Sequence, residues 1–184
     1  MLSFKKELQA LLLEKSYEER DVVLASGERS NFYFDGKQTS LHARGALLLG
    51  EIFFAMIQNC AAKIVAVGGP TLGADPLVTA VSLTSALKNQ PLHAFIIRKE
   101  PKKHGTAQWI EGAKNLHAGD RIMILEDVVT SGGSSLDAVA KAREFGLDVY
   151  GILTIVDREQ GGAAKIKAAG LYFDSIFTKT ELLS

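Results

Sequence analysis

Two apolar runs constrain this chain more than any other feature. Ile64-Val65-Ala66-Val67 runs unbroken into Gly68-Gly69-Pro70, and Ile122-Met123-Ile124-Leu125 runs unbroken into two adjacent carboxylates, Glu126-Asp127. A strand with one wet face alternates polar and apolar residues, so continuous runs suit strands covered on both faces. The intervening pattern supplies the covering helices. Phe4, Leu8, Leu11 and Leu12 predict a helix over 3–16 with Ser3 as its N-cap, and Ser40 is the expected cap of a second helix reaching about Asn59. Val22-Val23-Leu24 and Phe32-Tyr33-Phe34, separated by Ser26 to Ser30, read as a hairpin. Further helices are expected over 75–87, 134–145 and 163–169. Strands are expected over 64–67, 94–97, 121–125, 149–156 and 175–177, with a long polar loop over 99–112. This alternation predicts an α/β fold with a parallel sheet and right-handed crossovers.

The 184 residues are 47% hydrophobic, enough for one well-filled core, and no linker or internal repeat divides them, so 1–184 is read as a single domain. Twenty-one Lys and Arg offset 21 Asp and Glu, which excludes a globally basic nucleic-acid binder. The stretches Gly45 to Gly50 and Ile52 to Ile57 are cut by Glu51 and fall short of the ~20 residues of a membrane span. The N-terminus lacks a signal-peptide core. No nucleic-acid or membrane partner is expected, and the setting is read as cytoplasmic. Cys60, the one cysteine, has no thiol partner and is expected to be reduced and partly buried.

In open α/β sheets ligands sit beyond the carboxyl ends of the strands. Three such places are unusual here. Glu126-Asp127 lead through Val128 and Val129 into Thr130-Ser131-Gly132-Gly133-Ser134, a small-residue loop opening a helix, where backbone N–H groups and the helix dipole favour a phosphate. Carboxylates beside a phosphate need another object, such as sugar hydroxyls or a divalent cation, and a phosphorylated sugar meets both demands. Arg98-Lys99-Glu100-Pro101-Lys102-Lys103-His104-Gly105 gathers four cations and a histidine without apolar periodicity, as in a basic lid over a polyanion. Asp157-Arg158-Glu159 offers an Arg fork suited to a carboxylate or a nucleobase edge, or else a local ion pair.

The segment from Glu126 to Ser135 resembles the phosphoribosyl-pyrophosphate (PRPP) motif of the type I phosphoribosyltransferases. The basic segment from Arg98, the Asp157-Arg158 strand end and the Ser26 to Asp35 segment are similar to the lid, base site and hood of the orotate-using branch. The resemblance implies a Rossmann-like parallel sheet flanked by helices, with a small N-terminal hood (about 1–38) on a core (about 39–184). It also implies transfer of a phosphoribosyl group from PRPP to orotate in a homodimer, with Mg²⁺ bound through PRPP and not by a protein ligand set. It gives Glu126 and Asp127 the ribose hydroxyls, Val128 and Val129 further contact with PRPP, the Thr130 to Ser134 loop the 5′-phosphate, and Thr130 and Arg158 contact with orotate. Lys99 would reach the pyrophosphate from its own subunit, while Arg98, Lys102 and His104 would arrive on the lid of the neighbour. Displacement at the anomeric carbon is oxocarbenium-like, and the lid cations would neutralise the leaving pyrophosphate.

The chain departs from many members of the family at two lysines, where it carries Ala25 and Leu72. The backbone of the loop at 69–75 is expected to serve in place of Leu72's missing charge, with Asp75 orienting a magnesium-bound water; Lys37 is the candidate substitute for the hood lysine. A purine enzyme of this fold would usually stack an aromatic on the base, and a PRPP-sensing regulator would need a DNA-binding domain or a basic face. His42, His93 and His117 are expected to be structural or solvated. Trp109 is expected to anchor the end of the basic loop.

Overall fold

The structure, a computed structural model, describes residues 2–23, 29–100 and 109–184. Helix α1 (Leu2–Lys15) leads into a two-stranded antiparallel sheet of β1 (Tyr17–Val23) and β2 (Arg29–Phe34), in which Tyr17 pairs with Phe34. A short helix, α2 (Lys37–Ser40), precedes α3 (Ala43–Gln58). The main sheet follows: β3 (Ala66–Pro70), α4 (Asp75–Leu87), β4 (His93–Ile97), β5 (Ile110–Glu111), β6 (Arg121–Val129), α5 (Gly133–Glu144), β7 (Asp148–Asp157), α6 (Gly162–Ala168), β8 (Tyr172–Thr178) and α7 (Lys179–Leu182).

The six strands lie in the order β5-β4-β3-β6-β7-β8, all parallel except β5, which runs antiparallel to β4 at the edge. The order therefore runs outward in both directions from the central β3/β6 pair. Successive residues of β6 explain its apolar run. Met123 and Leu125 enter the cluster containing α1, α3 and α4 residues such as Leu12, Phe53 and Leu77. Ile122 and Ile124 enter the second cluster, with Val139 of α5 and Ile166 of α6. From Ile122 to Leu125 both faces of the strand are dry.

The helix over 75–87 forms as expected. Other boundaries differ, each for a local reason. Ser3 lies inside α1, which begins at Leu2. The imidazole of His42, not the hydroxyl of Ser40, caps α3, its Nδ1 accepting from the Gly45 N–H at 3.4 Å. Strand β1 begins at Tyr17, earlier than the apolar residues suggest. Tyr17 packs on Phe32 with ring centroids 5.2 Å apart, and the Arg20 guanidinium lies 3.7 Å from the Tyr33 ring centroid, so a charged stretch is held in the ladder by aromatic contacts across it. The turn expected in that hairpin falls mostly outside the described residues. Strand β6 runs to Val129 because its ladder with β7 continues to the pair Val129 and Asp157. Strand β5 is set by its pairing with β4.

Gly68 lies on β3 opposite Phe95 of β4. A Cβ there would stand 2.1 Å from the Phe95 ring, so the glycine is required by the neighbouring strand's side chain. Gly68→Ala should destabilise the fold by ~1–3 kcal/mol through overpacking. The drop in urea midpoint should shrink when Phe95→Leu is added; a double variant no more stable than Gly68→Ala would refute the steric account.

Candidate active site

Strand order reverses between β3 and β6, and the loops leaving their carboxyl ends part there, as the rule for open α/β sheets requires of a ligand site. A cleft of about 570 Å³ opens at that point. Thr71, Leu72 and Gly73 line it from the β3 loop, Arg98 and Lys99 from the end of β4, and Glu126 and Asp127 from β6. Ser134, Asp137 and Lys141 line it from α5, and Lys37 from α2 beside the hood.

The two carboxylates are adjacent in sequence but diverge. Glu126 follows the direction of Ile124 toward α5, where the Ser135 hydroxyl donates to its Oε1 at 3.1 Å. It is only 5% exposed. Burial, with the Asp127 charge adding, pushes its pKa up to about 8, against the opposing hydroxyls of Ser135 and Ser134. Asp127 points the other way, and its slot is bounded by two glycines. A Cβ on Gly73 would lie 2.6 Å from its Oδ1, and one on Gly36 would lie 2.8 Å from its Cβ. Its Oδ1 accepts from the Val128 N–H at 3.0 Å. Burial raises its pKa, and the Lys37 charge is the main opposing influence.

Beyond Val128 and Val129 the loop turns at Thr130, Ser131 and Gly132, with Gly132 in the left-handed region (φ +75°) just ahead of α5. The Val129 and Thr130 carbonyls accept from the N–H groups of Arg158 and Gly162, at 2.9 and 3.0 Å. This backs the loop against the β7–α6 turn. The first N–H groups of α5, at Gly133 and Ser134, are those a helix cannot satisfy within itself.

Of the residues singled out in the sequence, the structure brings Arg98, Lys99, Glu126, Asp127 and Ser134 into one cleft. Thr130, Ser131, Gly132 and Arg158 lie outside its lining. Arg158 leaves the end of β7 and reaches the hood, its Nη2 donating to the Phe32 carbonyl at 3.0 Å and its guanidinium 5.2 Å from the Phe32 ring centroid. Arg98 forms an ion pair with Glu111 (2.8 Å) on β5. Lys102 and His104 lie outside the described residues.

Trp109 anchors as expected. Its carbonyl accepts from the Arg98 N–H at 2.8 Å, and its ring lies 4.0 Å under the Lys141 ammonium, which also donates to the Arg98 carbonyl at 3.2 Å. Lys141 thus ties both sides of the basic loop to α5. Sequence reading missed it, though Ser134, Asp137 and Lys141 stand at i, i+3 and i+7 and so share one helix face. Cys60 is partly buried, donates to the Met56 carbonyl at 3.5 Å, and has its thiol pKa raised by burial, the opposite of an activated nucleophile. His117 is exposed, with Nδ1 3.7 Å from Asp120.

Among the described residues no cluster of three His, Cys, Asp or Glu side chains could hold a metal ion, and no helix is long and apolar enough to cross a membrane. One oxygen in the β3 loop does suit a metal's hydration shell. Asp75 Oδ1 is buried without a hydrogen-bond partner, while Oδ2 accepts from Thr71 Oγ1 at 2.8 Å.

The raised pKa of Glu126 makes a stability prediction. The folded protein holds this proton more tightly than the unfolded chain, so the group's contribution is full below its ordinary pKa of 4.5 and is lost as pH climbs toward 8. Glu126→Gln, neutral and nearly isosteric, should match the parent in stability near pH 5 and exceed it increasingly up to pH 8, by at most ~1.4 kcal/mol per pH unit, read as a growing Tm difference. A Tm difference flat in pH would show that Glu126 is ionised throughout.

No protein-family model matches the chain. An orotate phosphoribosyltransferase of Nostoc sp. is 46% identical over 180 residues, covering 98% of this chain and 85% of its own length. That of Aquifex aeolicus is 40% identical over 187 residues and covered in full on both sides. Among solved structures, the Mycobacterium tuberculosis H37Rv orotate phosphoribosyltransferase bound to Fe(III) dicitrate superposes with a TM-score of 0.84 at 35% identity, covering 97% of this chain and 98% of the other. The same enzyme in complex with PRPP gives a TM-score of 0.80 at 32% identity, covering 98% and 99%.

Proposed function

The chain belongs to the orotate phosphoribosyltransferase family, pentosyltransferases of pyrimidine biosynthesis, and from that premise we infer which of its residues carry the reaction orotate + PRPP → orotidine 5′-monophosphate + pyrophosphate. The observation that carries the assignment is the cleft itself, where an acid pair and a helix N-terminus face Arg98 and Lys99 across the point where strand order reverses.

PRPP is a polyanion with a hydroxylated ring, and the cleft has a counterpart for each part. Asp127 and Glu126 accept hydrogen bonds from the ribose hydroxyls, Asp127 held in place by the glycine slot and Glu126 by the Ser135 hydroxyl. Burial favours the protonated Glu126, and hydroxyl donors from the sugar favour its ionised form. The Thr130 to Ser134 loop cradles the 5′-phosphate through backbone N–H groups and the α5 dipole. Arg98, expected on the neighbour's lid, lines its own subunit's cleft beside Lys99, and both face the pyrophosphate, joined by Lys102 and His104 from the neighbour's lid. As the anomeric C–O bond breaks, positive charge spreads over the ring and negative charge gathers on pyrophosphate, so cations fixed near the leaving group stabilise the transition state more than the ground state. Orotate attacks from the side of Thr130 and Arg158, Arg158 matching its carboxylate with a planar fork. Magnesium bound through PRPP would further neutralise the leaving group, and Asp75, whose Oδ1 is buried without a hydrogen-bond partner, would accept from a metal-bound water.

The active unit is a homodimer with the lid shared between subunits. An apolar face supports this: Leu41, Leu72 and Leu83 are 74%, 65% and 62% exposed around a groove of about 640 Å³ that also touches Ala46, Pro76 and Ala80. This face adjoins the cleft through Leu72, so a second copy covering it brings its own loops to the site. The reading includes a cytoplasmic setting, where the single thiol of Cys60 stays reduced.

Arg158→Ala should raise KM for orotate roughly ten-fold or more, the loss of a charged hydrogen bond of ~1.5–3 kcal/mol, while KM for PRPP changes less than about two-fold. Equal losses for both substrates would remove Arg158 from the base site.

Lys102→Ala and Asp127→Asn homodimers should each be nearly inactive. In a reassembled equal mixture, half the dimers are hybrids with one intact site of two, so about a quarter of wild-type activity should return. Hybrids verified by mass spectrometry that stay inactive would place the lid on its own subunit.

A further inference from the structure

We propose that Lys37 is an additional catalytic residue, its ammonium binding the phosphate oxygens of PRPP from the hood side of the cleft; the inference rests on the phosphoribosyl-transfer reading and adds a residue to it.

The geometry of the Asp35-Gly36-Lys37 turn is the basis. Asp35 Oδ1 accepts from both the Lys37 N–H, at 3.1 Å, and the Lys37 ammonium, at 2.5 Å, which fixes backbone and side chain together. Gly36 lies close enough to Asp127 that a Cβ would meet the aspartate's own at 2.8 Å, so the turn is built against the acid pair. The Lys37 side chain then lines the cleft beside Leu72 and Gly73 and opposite Arg98 and Lys99, while keeping 38% of its surface exposed. It is a cation held at the cleft wall with its charge still open to a ligand.

The distribution of charge gives it a task. Arg98, Lys99 and Lys141 line the cleft from β4 and α5, and Lys37 is the cation lining it from the opposite, hood side. On that side the β3 loop contributes Leu72, which has no charge to offer a polyanion. Lys37 and Asp127 line the same cleft, and the Lys37 charge draws the Asp127 carboxyl toward ionisation. When a polyphosphate enters, the ammonium has three donors, enough to keep Asp35 and add a phosphate oxygen.

The experiment compares wild type, Lys37→Met, Lys37→Arg and Asp35→Asn, each first checked for a cooperative thermal transition. Steady-state rates are measured with orotate, PRPP and Mg²⁺, and binding of magnesium pyrophosphate by calorimetry. Lys37→Met should raise KM for PRPP by roughly ten-fold to a hundred-fold and weaken pyrophosphate binding in parallel, with KM for orotate within about two-fold. Lys37→Arg should recover part of both losses. Asp35→Asn, which leaves the ammonium in place, should stay within about three-fold of wild type.

Wild-type affinity for PRPP and pyrophosphate in Lys37→Met would overturn the proposal. So would an Asp35→Asn loss equal to that of Lys37→Met, since Lys37 would then act by holding the hood turn. A wild-type protein that forms no nucleotide from orotate would overturn the broader reading, while the pyrophosphate measurement would still decide the role of Lys37.

Discussion

Two carboxylates at the end of a strand dry on both faces are the constraint around which this molecule is arranged. Burying such groups costs several kcal/mol each unless the surroundings compensate. The protein does so in three ways: it turns the pair to opposite faces of the sheet, gives Glu126 hydroxyl donors, and sets Asp127 in a glycine slot near Lys37. Gly36 with Lys37, Gly73, and Ser135 come from three separate stretches of chain, so the pair fixes the relation of hood, β3 loop, helix and strand.

That compensation is incomplete, which suits a site made to receive donors. Burial pushes the Glu126 pKa up to about 8 and raises that of Asp127, so hydroxyl groups entering with a sugar improve an environment the protein leaves short of donors. The cations of the opposite wall show the same economy. Arg98 is paired with Glu111, an arrangement that keeps a guanidinium ordered at the cleft edge without neutralising Lys99 beside it. A chain with no net charge can present a polyanion site because Lys37, Arg98, Lys99 and Lys141 line one cleft while other cations, such as Arg44 and Arg121, are paired with carboxylates elsewhere.

Much of this was legible in the sequence. The unbroken apolar runs announced a sheet buried on both sides, and the acid pair before Thr130 to Ser134 stood out because adjacent carboxylates rarely end a dry strand without a ligand. Features created by pairing were not legible. The end of β6 at Val129 depends on Asp157 across the ladder, the two-residue β5 on Ile97, and the start of β1 on the contact of Tyr17 with Phe32. Lys141 looked like an ordinary charge on a solvated helix face until the fold set it against Trp109 and Arg98. Lys37 could be singled out early, but its place beside Asp127 required the hood and the core to be seen together.

The central pair of strands also determines when the cleft comes into being. Strands β6, β7 and β8 join through single helices, as do β3 and β4, so each half of the sheet assembles from neighbours along the chain. Ala66 and Ile122, partners across β3 and β6, meet only by closing a loop through everything between them, the slowest kind of contact for a folding chain to make. The cleft takes Thr71 to Gly73 from one half and Glu126, Asp127 and Ser134 from the other. Substrate binding capacity thus requires this closure, and a bound polyanion acts as a clamp on the seam, opposing the separation of two halves that each hold together locally.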